Sequence, residues 1–207
     1  MKKVILDLCG GTGAWNRPYK EAGYTVWNVT LPDYDVTDVM FGKFSFCLGN
    51  YTRVHPTFVD YKDIWGILAA PPCTMFSLAR TRAKKPRDFR EGMEVVEACL
   101  RLIWEVRKRG ELAFWALENP MGYLRQFLGK PPFTFDPCDF GDPYTKKTDL
   151  WGYYNEPKKN LIKLNELQKR KSQTNAGKVY GRDELTRQEV RAITPVGFAN
   201  AFYKANP

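Results

Sequence analysis

Lys3-Val4-Ile5-Leu6-Asp7-Leu8-Cys9-Gly10-Gly11-Thr12-Gly13-Ala14-Trp15 is the stretch on which the fold turns. Residues 3 to 8 form a short apolar run, the pattern of a strand covered on both faces. Cys9 to Trp15 follow as a glycine-rich turn, since glycine adopts backbone conformations that other residues resist. A helix of about ten residues is expected next, ending near Gly23, where glycine suits a C-cap. Tyr24 to Leu31 alternates and is rich in valine and threonine, so a second strand is expected there. Strand, glycine turn, helix, strand opens a doubly wound α/β fold, in which ligands lie beyond the carboxyl ends of the strands.

Two more apolar runs end abruptly. Ile64-Trp65-Gly66-Ile67-Leu68-Ala69-Ala70 stops at Pro71-Pro72, and Ala113-Phe114-Trp115-Ala116-Leu117 runs into Glu118-Asn119-Pro120. Proline cannot continue a central ladder, so both runs are expected to leave the sheet at these points. Between them Met93, Val96, Leu100, Ile103 and Val106, with Cys99 and Leu102, form one apolar stripe. A helix over Arg90 to Arg109 with that stripe in the core is expected, ended by Gly110. Leu31 to Val39 reads as a loop crossing the ligand face, Gly49-Asn50 as a turn, and Met121 to Gly152 as loop-rich and aromatic. Residues from about 153 to 192 are polar and basic. There Lys158, Lys159, Lys163, Lys169, Arg170 and Lys171 fall in an expected helix and turn, and Ser172 to Gly181 in a mobile loop. Thr194 to Phe202 reads as a capped helix packing back on the domain.

A chain of 207 residues fits one domain with a full core, so 1–207 is taken as a single unit. No apolar run approaches the ~18 residues of a membrane span. The N-terminus becomes acidic at Asp7 before an apolar leader core could form, so no signal peptide is expected. The five cysteines show no CxxC spacing and His55 is the only histidine, so neither a metal site nor a disulfide framework is expected. A reducing cytoplasm suits that pattern, and His55 is the only histidine available as a base. The net charge of +9 points to a polyanionic partner.

Cys73 is the first residue free of the proline constraint, and a loop carrying Arg80, Arg82, Lys84, Lys85 and Arg87 follows it. Such cations favour the thiolate, which makes Cys73 a candidate nucleophile. The alternative is a small buried hydrophobe, the common fate of a free cysteine. Three strand ends now carry unusual residues: the glycine turn, Pro-Pro-Cys and Glu-Asn-Pro. In a doubly wound sheet all three lie on one edge.

In this order they resemble the C5-cytosine methyltransferases, a family of class I S-adenosylmethionine-dependent enzymes with a Rossmann-like fold. Asp7-Leu8-Cys9-Gly10-Gly11-Thr12-Gly13 is similar to the family's opening motif, which holds the methionine end of the cofactor. Asp35-Val36-Thr37 resembles the motif whose aspartate accepts from the adenine amino group, although Asp35 is equally a turn-former. Pro71-Pro72-Cys73 matches the nucleophile motif and Glu118-Asn119 the pair that grips the target base. Gly141-Asp142-Pro143-Tyr144-Thr145-Lys146 resembles a Gly-x-Pro-Gln-x-Arg stretch, and Ala192-Ile193-Thr194-Pro195 the C-terminal motif that completes the cofactor pocket. The resemblance therefore implies S-adenosylmethionine as cofactor, held by Asp7, Cys9, Gly10, Gly11, Gly13, Trp15, Asp35, Pro71 and Thr194. It implies catalysis by Cys73, Glu118 and Lys146, with nucleic acid, DNA first, clamped by Arg80, Arg82, Lys84, Lys85 and Arg87. For Glu118 the alternative is a helix cap or a surface carboxylate.

Carbon 5 of cytosine is a poor nucleophile, and a thiolate added to carbon 6 turns the ring into an enamine that can attack an electrophilic methyl group. An acid at the ring's N3 and amino group takes up the developing charge, the role that falls to Glu118. The amino-directed methyltransferases carry an aromatic residue after Pro-Pro; Cys73 stands there instead and favours carbon as the acceptor. The chain also departs from the pattern. The end of the second strand has Asn28 and Thr30 in place of a ribose-holding acid, with Asp33 just beyond. The second arginine of the family's Arg-x-Arg pair is Thr148, and Pro120 follows Glu118-Asn119. The basic insertion at 153–192 is too short for a usual target-recognition domain. RNA or a free cytosine nucleotide as substrate, or an inactive nucleic-acid-binding module of the same fold, are the alternatives.

Overall fold

A computed structural model describes residues 3–49, 56–81, 83–165 and 185–207. The expectations for Asn50, His55, Arg82, Lys169 to Lys171 and Ser172 to Gly181 lie outside the described residues. The chain is mixed α/β around a mostly parallel six-stranded sheet, compatible with a Rossmann-like fold. Its members are β1 (Val4–Leu8), β2 (Thr25–Val29), β6 (Ile64–Ala69), β7 (Phe114–Pro120), β8 (Phe133–Phe135) and β9 (Thr148–Tyr153). They run in the order β2-β1-β6-β7-β9-β8, and only β9 opposes the common direction.

The apolar runs are strands because both faces of the sheet are covered. Val4, Leu6 and Leu8 pack with Val96, Cys99, Leu102, Ile103 and Val106 of α2 (Phe89–Arg109). Ile5 points the other way, into a cluster with Trp15, Tyr19, Phe198 and Phe202. The latter two belong to α5 (Val196–Ala205), and Tyr19 to α1 (Arg17–Glu21). The α2 stripe is core as expected, with Asp88 accepting from the Glu91 amide as N-cap and Gly110 at the C-cap. A register shift where β6 meets β1 lets Val4 pair with Ile64 but Ile5 with Gly66.

Several expectations are corrected. The first helix has five residues, not about ten, because the turn continues to Asn16, whose amide is bound to Asp7. Residues 40–58, unassigned from sequence, contribute to a separate antiparallel sheet: β3 (Met40–Phe41), β4 (Ser45–Leu48) and β5 (Thr57–Asp60). The stretch from Met121 to Gly152 is not mainly loop. It holds α3 (Arg125–Leu128), β8 and most of β9, and a buried Asp149 receives Arg125 through two bonds of 2.5 and 2.6 Å. Pro120 does not fall outside the ladder but occupies the last register position of β7, opposite Thr148. Residues 154–165 carry no helix; α4 (Arg187–Ala192) begins later, at the capping box Thr186-x-x-Glu189. The cap of α5 comes from afar: Gly197 donates its amide to Asp142 at 3.0 Å. Among the described residues no helix is long and apolar enough to cross a membrane.

Gly66 lies where β6 meets Phe114, and a Cβ built on it would stand 2.1 Å from the ring. Gly66→Ala should therefore destabilise the fold by about 1–3 kcal/mol through overpacking. Urea denaturation reads this as a lower midpoint, and an unchanged midpoint would contradict the packing described.

Candidate active site

Chain order decides where a crevice can form. From β1 the chain moves to β2 on one side and later returns to β6 on the other, so the loops after β1 and β6 diverge between them. A ligand crevice is expected at such a switch point, beyond the carboxyl ends of the strands. One lies there, lined by Asp7, Cys9, Gly10, Gly11 and Trp15 after β1, Pro71 and Cys73 after β6, and Glu118 on β7. Lys146, Arg191 and Thr194 close it. Its enclosed part is small, about 70 Å³, and it opens to solvent. A larger groove of about 640 Å³ between α5 and residues 156–160 holds none of the motif residues, so volume does not choose the site.

The glycine turn is fixed from below. Cys9, Gly11 and Gly13 all adopt positive φ, of 57°, 51° and 68°. Cys9 is the non-glycine among them, a strained position of the kind that clusters at functional sites. A Cβ on Gly10 would stand 2.3 Å from the Asp7 carboxyl and from Asn28 Oδ1. Only glycine lets the backbone come that close. Asn28 donates to the Gly11 carbonyl at 3.0 Å and Thr30 accepts from the Gly11 amide at 3.3 Å. Those two side chains thus hold the turn. Cys9 packs against the core that holds Cys99, and its sulfur together with burial pushes the Cys99 thiol well above its ordinary value.

Pro71-Pro72 turn the chain into a one-turn 3₁₀ helix, Cys73–Met75, that presents the thiol half-buried. This loop is tied to the next strand end: Asn119 donates its side-chain amide to the Pro71 carbonyl at 2.9 Å, and Tyr123 its backbone amide to Phe76 at the same distance. Glu118 is 7% exposed and Lys146 6%. Burial pushes the Glu118 carboxyl above its ordinary range, and Lys146 pulls it back. A carboxyl so placed keeps its proton more readily and can donate it. Burial likewise pushes the Cys73 thiol up, opposed by Lys146 and Arg191 and reinforced by Glu118.

That corrects the expected source of thiolate stabilisation. Arg87 spends its guanidinium on the Met75 and Ser77 carbonyls and stacks over Tyr123 at 4.7 Å, and Lys85 pairs with Glu91 at 2.6 Å. Neither these nor Arg80 and Lys84 line the crevice. Asp35 does not line it either; its Oδ1 accepts from the Thr37 amide and hydroxyl at 3.0 and 2.7 Å, the turn-forming alternative. Gly13 lies in the turn itself, donating to the Gly10 carbonyl at 2.9 Å. The remaining expected cofactor and catalytic residues come together. Arg191 went unforeseen; the capping box at Thr186 is the local signal that places a helix just ahead of it.

Asp7 Oδ1 and Trp15 Nε1 are buried on the crevice wall with no hydrogen-bond partner among the described residues, as is Asn28 Oδ1 beside them. Such atoms cost about 1–3 kcal/mol each unless something answers them. No protein-family model matches the chain, and no curated protein does.

Burial raises the Asp7 carboxyl from 3.8 to about 7, against a 2.7 Å bond from Asn16 and the charge of Lys20. The folded state therefore keeps a proton that the unfolded chain releases. Its contribution to stability is complete below 3.8 and is lost as pH rises through about 7. Urea titrations across that range should show wild type losing stability relative to Asp7→Asn as pH rises, by on the order of a few kcal/mol in total. A constant difference would refute the burial argument.

Proposed function

We propose that this chain is a class I, Rossmann-like methyltransferase that transfers a methyl group from S-adenosylmethionine to carbon 5 of cytosine in DNA. The observation that carries the reading is convergence: Cys73, Glu118 and Lys146, each from a different part of the chain, line one crevice beside a glycine turn. The residues present fit the cofactor. Asp7 and Trp15 offer, among the described residues, an unanswered acceptor and donor on the crevice wall. Asp7, Cys9, Gly10, Gly11, Trp15, Pro71 and Thr194 would hold it. When bound, S-adenosylmethionine supplies an electrophilic methyl group on a sulfonium.

The protein's own groups act on the pyrimidine. The Cys73 sulfur adds to carbon 6 and pushes the ring electrons toward N3, where a protonated Glu118 delivers its proton. Lys146 then faces the carboxylate left on Glu118 and balances it. Once carbon 5 is substituted, it loses its proton to a base, the electrons close the 5,6 double bond and the thiolate departs. N3 returns its proton to Glu118, so the neutral aromatic ring is restored and Cys73 is free again. The free thiol suits a reducing cytoplasm.

Methyl transfer from labelled cofactor should be compared on duplex DNA, single-stranded DNA, RNA and deoxycytidine monophosphate. DNA is expected to be the acceptor, and acceptance of RNA or the nucleotide alone would reassign the substrate. A 5-fluorocytosine oligonucleotide with S-adenosylmethionine should leave a covalent adduct on Cys73, because fluorine blocks the last elimination. Cys73→Ser should abolish the adduct, and Glu118→Gln should slow transfer by at least ~100-fold. An adduct on another cysteine, or none with any nucleic acid, would defeat the proposal.

A further inference from the structure

Two cations share the crevice with Cys73. Lys146 comes on the segment before β9, within the motif-like stretch; Arg191 comes on α4, near the other end of the chain. Thr148, where a second basic residue would be expected beyond Lys146, offers nothing to the site. It is buried, and its hydroxyl donates back to the Lys146 carbonyl at 2.7 Å. Among the described residues of the basic loop after Cys73, none lines the crevice; Arg87 holds backbone carbonyls and Lys85 pairs with Glu91. No carboxylate among the described residues pairs with the Arg191 guanidinium.

We propose that Arg191 is the second cation of the site, a positioning residue that faces Cys73 across the crevice and favours its sulfur as the anion. The proposal rests on Cys73 being the nucleophile, as argued above. The charged groups around that sulfur are Lys146 from the segment before β9, Glu118 from β7, Asp7 from β1 and Arg191 from α4. Burial and Glu118 oppose the thiolate, and Lys146 and Arg191 support it. Asp7, raised to about 7 by burial, is largely neutral in mildly acid solution. With Lys146 also serving Glu118, one cation would be divided between an acid and a thiolate. Arg191 relieves that division.

The source of the charge has a consequence. Arg191 is carried by the segment that runs through Thr194 into α5, and α5 is fixed by the Phe198 ring stacked on Phe135 at 4.0 Å and by Asp142 on the Gly197 amide. The nucleophile is therefore fully activated only with this segment seated. A cation on β9 would be present as soon as the sheet formed; one on α4 depends on docking of the C-terminal helix.

The test is site-resolved alkylation by iodoacetamide, a neutral reagent from which the thiolate displaces iodide, with each cysteine followed by peptide mass across a pH series. In Arg191→Gln the Cys73 rate near neutral pH should fall about three- to tenfold and its pH midpoint should rise. Cys138, which does not line the crevice, should react as in wild type. Arg191→Lys should restore most of the Cys73 rate, because it restores the charge. An unchanged Cys73 profile in Arg191→Gln overturns the proposal. So does an equal fall in the glutamine and lysine variants with circular dichroism unchanged, which would make the effect one of shape and not charge. A wild type that methylates no nucleic acid, but whose Cys73 profile still shifts with Arg191→Gln, would remove the reaction assigned above and support the role of Arg191.

Discussion

Asn119 donates to the Pro71 carbonyl at 2.9 Å, and this buried bond joins the two loops on which the site depends. Parallel pairing of β6 and β7 sends both chains out of the sheet at the same edge, but it does not by itself keep the emerging loops together. Pro71 and Pro72 leave the chain beyond β6 without backbone donors, while Pro120 takes the last register position of β7. The side-chain amide of Asn119 supplies the missing donor. With it in place, Cys73 and Glu118 open onto one crevice although they are separated along the chain by the whole of α2.

Burial makes that crevice electrostatically unusual. Asp7, Glu118 and Cys73 are all pushed toward their neutral forms by loss of water. In the proposed reaction neutrality suits a carboxyl that donates a proton and works against a sulfur that attacks. The cations oppose the push unequally: Lys146 acts on both groups and Arg191 on the sulfur. The glycine turn contributes shape more than charge: three alternate positive-φ positions, Cys9, Gly11 and Gly13, fold the chain back over Asp7.

The elements legible from sequence are those whose burial leaves a strong pattern. β1, β6 and β7 are covered on both faces and are nearly all apolar, and α2 has one long stripe between a capping aspartate and a glycine. The small sheet of β3, β4 and β5 and the three-residue β8 were not legible, because strands of two to four residues carry too few positions to show alternation. β9 was hidden for another reason. Thr148 and Asp149 are polar yet wholly buried, satisfied by the Lys146 carbonyl and by Arg125, and a polar start reads as loop until its partners are known.

The sequence by itself determined the strand-turn-strand opening, the exit of two strands at prolines, and the residue types gathered there: thiol, carboxyl, amide and glycine. These follow from local rules of backbone freedom and burial. Only the tertiary structure decided which charges face Cys73. Of the arginine- and lysine-rich loop beside it in sequence, Arg87 turns to backbone carbonyls and Lys85 to Glu91. Lys146 and Arg191, 73 and 118 residues further on, share its crevice instead. Electrostatic interaction depends on distance in space and on the exclusion of water, and neither is written in the spacing of residues along a chain.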